Sequence, residues 1–166
     1  MLLRPIRLAA LACALAAPFG AFAQTPQSLA DVSPDDWVVH CEETGCLVTR
    51  GAFDAAGSRL LTLTFALSSQ LDAVRMVLLT PLGTALQSGL QINVGTQEQA
   101  YNFAACTPDG CMVIVDLPPD QVQNMTVQPA LVARFFAINQ TDPYEMSIPL
   151  EELGEAIRIA RNGGVR

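Results

Sequence analysis

Two pairs of cysteines carry most of the chemistry that this sequence could support. Cys41 and Cys46 form one pair, and Cys106 and Cys111 form the other, each with four intervening residues and a glycine directly before the second cysteine. A thioredoxin-type redox site has two intervening residues at the start of a helix, and zinc ligands usually lie two to four residues apart. The strand–turn–strand pattern around both pairs instead favours structural disulfides, so we expect no metal and no cofactor.

The connectivity of these disulfides is predicted to be local, joining Cys41 to Cys46 and Cys106 to Cys111. A hairpin with a four-residue loop would place the two cysteines of each pair directly opposite one another, at a separation that a disulfide can span. Short loops also close faster than long ones in an unfolded chain. Four cysteines nevertheless allow three connectivities, and the sequence leaves open the two that join the hairpins.

The single histidine, His40, does not suggest a catalytic site. It adjoins Cys41, and neighbouring residues of a strand point to opposite faces, so the two cannot form a nucleophile–base pair. The sequence also lacks the G-x-S-x-G, H-E-x-x-H, P-loop and G-x-G-x-x-G motifs. We therefore predict no catalytic residue.

Acidic residues flank both cysteine pairs and are the remaining candidates for chemistry: Asp35, Asp36, Glu42, Glu43, Asp109 and Asp116. A glycosidase needs two inward carboxylates on facing elements. These acids are expected at turns, where carboxylates are normally solvated. We predict that the protein is not an enzyme; the alternative is a periplasmic enzyme with a carboxylate-based hydrolytic site.

The first 23 residues have the layout of a secretory signal peptide. Arg4 and Arg7 precede an apolar run over 8–17, which is shorter than the ~20 residues that a membrane span needs. The small residues Ala21 and Ala23 then occupy the −3 and −1 positions of a cleavage site, so the mature protein is predicted to begin at Gln24. We expect an exported chain without a transmembrane segment, periplasmic or secreted, with peripheral association with the outer membrane left open.

The charge balance excludes several classes of partner. The chain has nine arginines, no lysine and sixteen acidic residues, and its net charge of −7 becomes −9 when Arg4 and Arg7 leave with the leader. Nucleic acids and anionic lipids are bound through clustered Lys and Arg, so neither is expected. We predict a protein that acts by binding an envelope or host protein whose identity is unknown, or a small apolar ligand.

The elements that would position these residues are mostly short strands. After a polar, flexible segment over 24–34, alternation and turn signals predict about eight strands, a pattern typical of an antiparallel β-sandwich. They lie near 37–41, 61–67, 74–80, 90–94, 101–106, 112–115, 131–138 and 146–148. Apolar residues at helical spacing over 150–160 predict one C-terminal α-helix. We expect a single all-β domain over 35–166.

Several motifs resemble the invasion-associated locus B family of exported bacterial proteins, over about residues 35–160. They are Asp36-Trp37-x-Val39-x-Cys41 with Cys46, Leu79-Thr-Pro81-Leu-Gly83-x-x-Leu86-x-x-Gly89-Leu-x-Ile92, Phe103-x-x-Cys106-x-x-x-Gly110-Cys111, and Ala156-Ile157 in the predicted helix. The sequence departs from the family at Glu152-Leu153, where a Gly-Phe pair is common. The resemblance implies an envelope or periplasmic protein, associated in some pathogens with entry into host cells, and it supplies no catalytic residue.

Overall fold

The computed structural model describes residues 36–68 and 74–164 of the chain. The predicted leader, its cleavage site and the segment 24–34 lie outside this part. The strands are β1 (Val38–Glu42), β2 (Gly45–Phe53), β3 (Arg59–Ser68), β4 (Val74–Thr80), β5 (Leu90–Val94), β6 (Gln97–Tyr101), β7 (Ala105–Thr107), β8 (Gly110–Leu117), β9 (Ala130–Phe135) and β10 (Tyr144–Pro149). The helices are α1 (Pro119–Met125) and α2 (Leu153–Arg161).

The strands form two antiparallel sheets, so the prediction of an antiparallel, mostly β fold is confirmed. The larger sheet has six strands in the order β1-β2-β3-β4-β8-β7, and the smaller has four in the order β10-β9-β5-β6. Within the described residues, no helix is long and apolar enough to cross a membrane.

Strand β3 shows how the sequence pattern selects a buried face. Leu61, Leu63, Phe65 and Leu67 alternate along it and are all buried. Successive side chains of a strand point to opposite faces, so this period of two directs every second residue into the core. The core is one cluster of buried side chains to which both sheets and both helices contribute. The alternate residues of the larger sheet form a second face, which we call the outer face.

The described residues form ten strands, whereas about eight were predicted. One prediction, a strand running through Tyr101 and Phe103 to Cys106, is wrong because the chain changes sheets there. Strand β6 ends at Tyr101 in the smaller sheet, and β7 begins at Ala105 at the edge of the larger one. Strand β2, which contains Cys46, has nine residues and begins at Gly45.

The prediction of a single helix is also wrong. Helix α1 follows Pro118, with Pro119 in its first turn, where a proline costs no helical hydrogen bond. It contributes Val122 and Met125 to the core. The predicted C-terminal helix is α2, but it begins at Leu153, after Glu152 adopts a left-handed conformation with a φ of 64°.

Each cysteine pair lies in a tight hairpin at an opposite edge of the larger sheet. Cys41 is directly opposite Cys46, and Glu42 is opposite Gly45, so the turn has two residues and not the four expected from the cysteine spacing. The second hairpin repeats this register, with Cys106 opposite Cys111. Gly45 and Gly110 therefore each belong to the residue pair that flanks the turn, Glu42 with Gly45 and Thr107 with Gly110.

Candidate functional site

A row of five cross-strand neighbours runs over the outer face of the larger sheet. His40 on β1 is opposite Leu47 on β2, and Leu47 is opposite Ala66 on β3. Ala66 is in turn opposite Arg75 on β4, and Arg75 is opposite Asp116 on β8. The antiparallel register of five strands thus brings together residues that are distant in sequence. We call this set the polar–apolar row.

The polar–apolar row lines a cavity of about 490 Å³ beside the first disulfide hairpin. Leu47 and Ala66 supply its apolar surface, and 45% of Leu47 is exposed. Glu42, Thr44, Gly45 and Ser68 line the end of the cavity nearest the turn. This volume lies within the range of ~300–1,000 Å³ that is usual for small-molecule sites.

Gly45 is required by the close approach of two strands at this end of the cavity. Its φ is +154°, and a Cβ atom placed on it would lie 2.2 Å from the carbonyl oxygen of Leu67. Any larger residue would push β2 away from β3. The glycine that precedes the second cysteine therefore has a structural cause in the neighbouring strand as well as in the turn.

Two pairs of polar side chains stand at the two sides of the cavity. Arg75 donates from Nε to Asp116 Oδ1 at 2.7 Å and from Nη2 to Oδ2 at 3.3 Å. These hydrogen bonds, with the attraction between the charges, raise the pKa of Arg75 and lower the pKa of Asp116. On the other side, His40 Nε2 lies 3.5 Å from Glu42 Oε1, with both side chains largely exposed.

The two carboxylates of the cavity are on strands that are not neighbours in the sheet. Glu42 is on β1 and Asp116 is on β8, and β2, β3 and β4 lie between them. At about 4.8 Å per strand the two strands are ~19 Å apart, whereas paired glycosidase carboxylates are ~5–9.5 Å apart. Asp116 was expected near a turn, and this was wrong, because it lies within β8 on the outer face.

The other predicted acidic residues remain separate from this arrangement. Asp36, Glu43 and Asp109 are exposed, and the latter two are in hairpin turns. Asp35 lies outside the described residues. Within the described part of the chain, no three His, Cys, Asp or Glu residues are grouped as metal ligands would be.

The four predicted disulfide cysteines are joined within their own hairpins. The structure contains the bonds Cys41–Cys46 and Cys106–Cys111, with Cα separations of 4.0 and 3.9 Å. The first bond lies against the end of α2, where Cys46 Sγ is 3.1 Å from the carbonyl oxygen of Ala160. A disulfide sulfur carries no proton, so this is a close sulfur–oxygen contact and not a hydrogen bond.

These features define a class of protein: a mostly β fold of two antiparallel sheets, with a disulfide-closed hairpin at each edge of the larger sheet and a cavity on its outer face. The chain belongs to the invasion associated locus B (IalB) family, whose sequence profile matches residues 37–160. The resemblance seen in the cysteine and glycine motifs is thereby confirmed. Family membership and the disulfides indicate an exported protein.

A solved structure shares the fold. The crystal structure of invasion associated protein B from Bartonella henselae matches with a TM-score of 0.65 and 16% sequence identity, covering 74% of this chain and 89% of that chain. At this identity the similarity extends to the fold alone. No curated protein sequence matches the chain.

Proposed function

We propose that this protein is an exported, non-catalytic binding protein that takes a small apolar ligand in the cavity of the outer face. The observation that carries the proposal is the cavity itself. Its volume of about 490 Å³ suits one small molecule. A stable protein–protein interface instead covers about 800 Å² on each partner.

The composition of the cavity supports an apolar ligand with a polar end. Leu47 and Ala66 offer apolar surface, and burying such surface gives roughly 25 cal/mol per Å². Arg75 has five N–H groups, of which Asp116 occupies two, so it retains donors for a ligand oxygen. Because Asp116 and Glu42 more than balance the charge of Arg75, an uncharged oxygen suits this wall better than an anion.

The separation of the charged groups supports a non-catalytic role. Glu42 and Asp116 are on strands ~19 Å apart, and Asp116 is held ionised by Arg75. In the cavity wall His40 lies beside the carboxylate of Glu42. A carboxylate-based hydrolase would need two carboxylates ~5–9.5 Å apart.

The proposal places the mature protein in the periplasm or outside the cell, beginning at Gln24. Intact-mass measurement of the protein isolated from its native envelope tests this step. A mass that begins at Gln24 supports it, and a mass that retains the leader or a lipid on Cys13 contradicts it.

Binding is tested with N-phenyl-1-naphthylamine, an uncharged apolar probe whose fluorescence rises in apolar surroundings. We expect the wild-type protein to bind it and the variant Ala66→Phe, which fills the cavity, to lose that site. Ile114→Phe is the matched control, because Ile114 is also on the outer face and 42% exposed but lines no part of this cavity.

The proposal is contradicted if the folded wild-type protein leaves the probe fluorescence unchanged, or if Ala66→Phe and Ile114→Phe bind it equally well. Circular dichroism of each variant establishes that it is folded before the comparison.

A further inference from the structure

The two disulfide hairpins occupy equivalent places in the larger sheet, related by an approximate two-fold axis between β3 and β4. The first hairpin pairs with the end of β3, where Cys46 is opposite Leu67. The second pairs with the end of β4, where Cys111 is opposite Thr80. Strands β3 and β4 are antiparallel, so the hairpins lie at opposite ends of the sheet.

The closest contact of each hairpin is also repeated. A Cβ atom on Gly45 would lie 2.2 Å from the carbonyl oxygen of Leu67, and one on Gly110 would lie 2.2 Å from that of Thr80. Leu67 of β3 thus corresponds to Thr80 of β4. By the same register, Ala66 corresponds to Leu79.

A second cavity lies where this relationship would place an equivalent of the first one. It has a volume of about 310 Å³ and is formed by the second hairpin turn with the neighbouring ends of β3 and β4. Leu79 replaces Ala66 at the equivalent register position, and its larger side chain accounts for a smaller cavity. Thr62, which is opposite Leu79, takes the place of Arg75.

The walls of the two cavities have matching chemistry. Both contain leucine surface, and each contains one arginine and one aspartate. Arg75 and Asp116 in the first are hydrogen-bonded to one another, whereas Arg59 and Asp109 in the second occupy other register positions. The arginine and the aspartate of each wall balance one another, and Glu42 adds a negative charge to the first wall. Each wall therefore complements an uncharged molecule with an apolar body and an oxygen-bearing end, and neither wall complements an anion.

We propose that the cavity at the second hairpin is a second binding site for the same class of ligand, a small uncharged amphiphile. The ligand class rests on the function proposed above, whereas the second site rests on the repeated register and cavity. The protein thus binds two ligand molecules on one face of the larger sheet.

The experiment is a stoichiometric titration with N-phenyl-1-naphthylamine, comparing three variants. We expect wild type to bind two equivalents, and Ala66→Phe and Thr62→Phe to bind one each, because Thr62 lines only the second cavity. Ile114→Phe keeps two equivalents. The sulfonated probe 1-anilinonaphthalene-8-sulfonate, an anion of similar shape, should bind at least tenfold more weakly.

Each outcome separates this inference from the function on which it rests. One equivalent in wild type, abolished by Ala66→Phe and unaffected by Thr62→Phe, overturns the second site and leaves the proposed function standing. Absence of binding to the folded wild type overturns both. Equal affinity for the sulfonated probe overturns the assignment of an uncharged ligand while leaving the number of sites intact.

Discussion

The indole nitrogen of Trp37 donates a hydrogen bond of 2.9 Å to the carbonyl oxygen of Glu151, 114 positions later in the chain. The same indole ring lies 5.9 Å from the ring of Phe65 and 5.7 Å from the guanidinium carbon of Arg50. Arg50 in turn donates to the carbonyl oxygen of Pro149 at 3.0 Å. Two polar contacts, one from Trp37 directly before β1 and one from Arg50 on β2, therefore hold the end of β10 and the short link to α2.

Replacement of Trp37 by phenylalanine should loosen this link. The carbonyl oxygen of Glu151 loses its donor, and leaving a part-buried polar group unsatisfied costs about 1–3 kcal/mol. We expect Trp37→Phe to lower the free energy of unfolding by that amount in urea denaturation. Tyr144→Phe is the control, since it keeps the ring stacked on Phe135. Equal stability of the two variants would show that the indole hydrogen bond contributes nothing.

Alanine substitutions at two glycines should separate backbone conformation from backbone crowding. Gly57 has a φ of +81° and open space around it, so Gly57→Ala bears only the left-handed penalty of roughly 1–2 kcal/mol. Gly45→Ala also places Cβ against the carbonyl oxygen of Leu67, and overpacking adds about 1–3 kcal/mol. Urea denaturation measures the difference. The crowding argument fails if both variants lose the same stability.

Local alternation was sufficient to predict much of the fold. The four buried residues of β3 recur with a period of two, and Val74–Thr80, predicted as a central strand, lies between β3 and β8. In these segments the apolar residues follow one another in a pattern typical of a strand, so the strands can be recognised without knowing the tertiary structure.

Elements held mainly by their neighbours could not be predicted. Strand β6 (Gln97–Tyr101) is a largely exposed edge strand without apolar alternation, and its pairing with β5 defines it. Helix α1 has only seven residues and two buried side chains, too few to show a helical period. Its leading Pro118-Pro119 can end a strand as well as begin a helix, so these residues do not predict the helix.

The cavity could not be predicted from the sequence for a different reason. His40, Leu47, Ala66, Arg75 and Asp116 come from five strands, and only the pairing register aligns them. Register depends on which residues of distant strands face one another, and a shift of one position would turn each side chain to the other face. The sequence did identify His40 and Asp116 as candidates, but it offered no signal that Leu47, Ala66 and Arg75 belong with them.

Peptide mapping without reduction tests the disulfide connectivity. Trypsin cleaves after Arg50 and Arg75, so Cys41 and Cys46 fall in one peptide and Cys106 and Cys111 in another. With local bonds we expect two separate peptides, each lighter than its reduced form by two hydrogens. The reduced and alkylated protein provides the reference masses. A peptide that joins the Cys41 region to the Cys106 region would contradict the pairing in the structure.

The Arg75–Asp116 pair should give a measurable pH dependence. Arginine lowers the pKa of Asp116 below its ordinary value of 3.8, so the carboxyl is more acidic in the folded state than in the unfolded state. Its stabilising contribution is complete above the unfolded pKa and is lost as pH falls through the folded pKa. The pair is exposed, so the effect on stability is small.

A carboxyl NMR titration of Asp116 measures this shift directly. In Arg75→Gln we expect the pKa of Asp116 to rise towards 3.8, because both the hydrogen bonds and the opposite charge are lost. Arg158→Gln, which removes an arginine paired with Glu155 on α2, is the control and should leave Asp116 unchanged. An Asp116 pKa that is the same in wild type and Arg75→Gln would show that the ion pair does not persist in solution.

His40→Ala tests the expectation that the only histidine performs no catalysis. The imidazole is 69% exposed and lies 3.5 Å from Glu42, so its removal breaks only a surface contact. Such substitutions change the free energy of unfolding by about 0.5 kcal/mol or less. Ester, peptide and glycoside substrates should be turned over no more slowly by His40→Ala than by wild type, because the proposed function is binding without catalysis. Asp116→Asn provides the corresponding comparison for the carboxylate on the other side of the cavity.

A hydrolytic activity that is lost in His40→Ala, while urea denaturation shows unchanged stability, would establish the enzyme alternative. Loss of that activity in both His40→Ala and Asp116→Asn would assign it to this cavity.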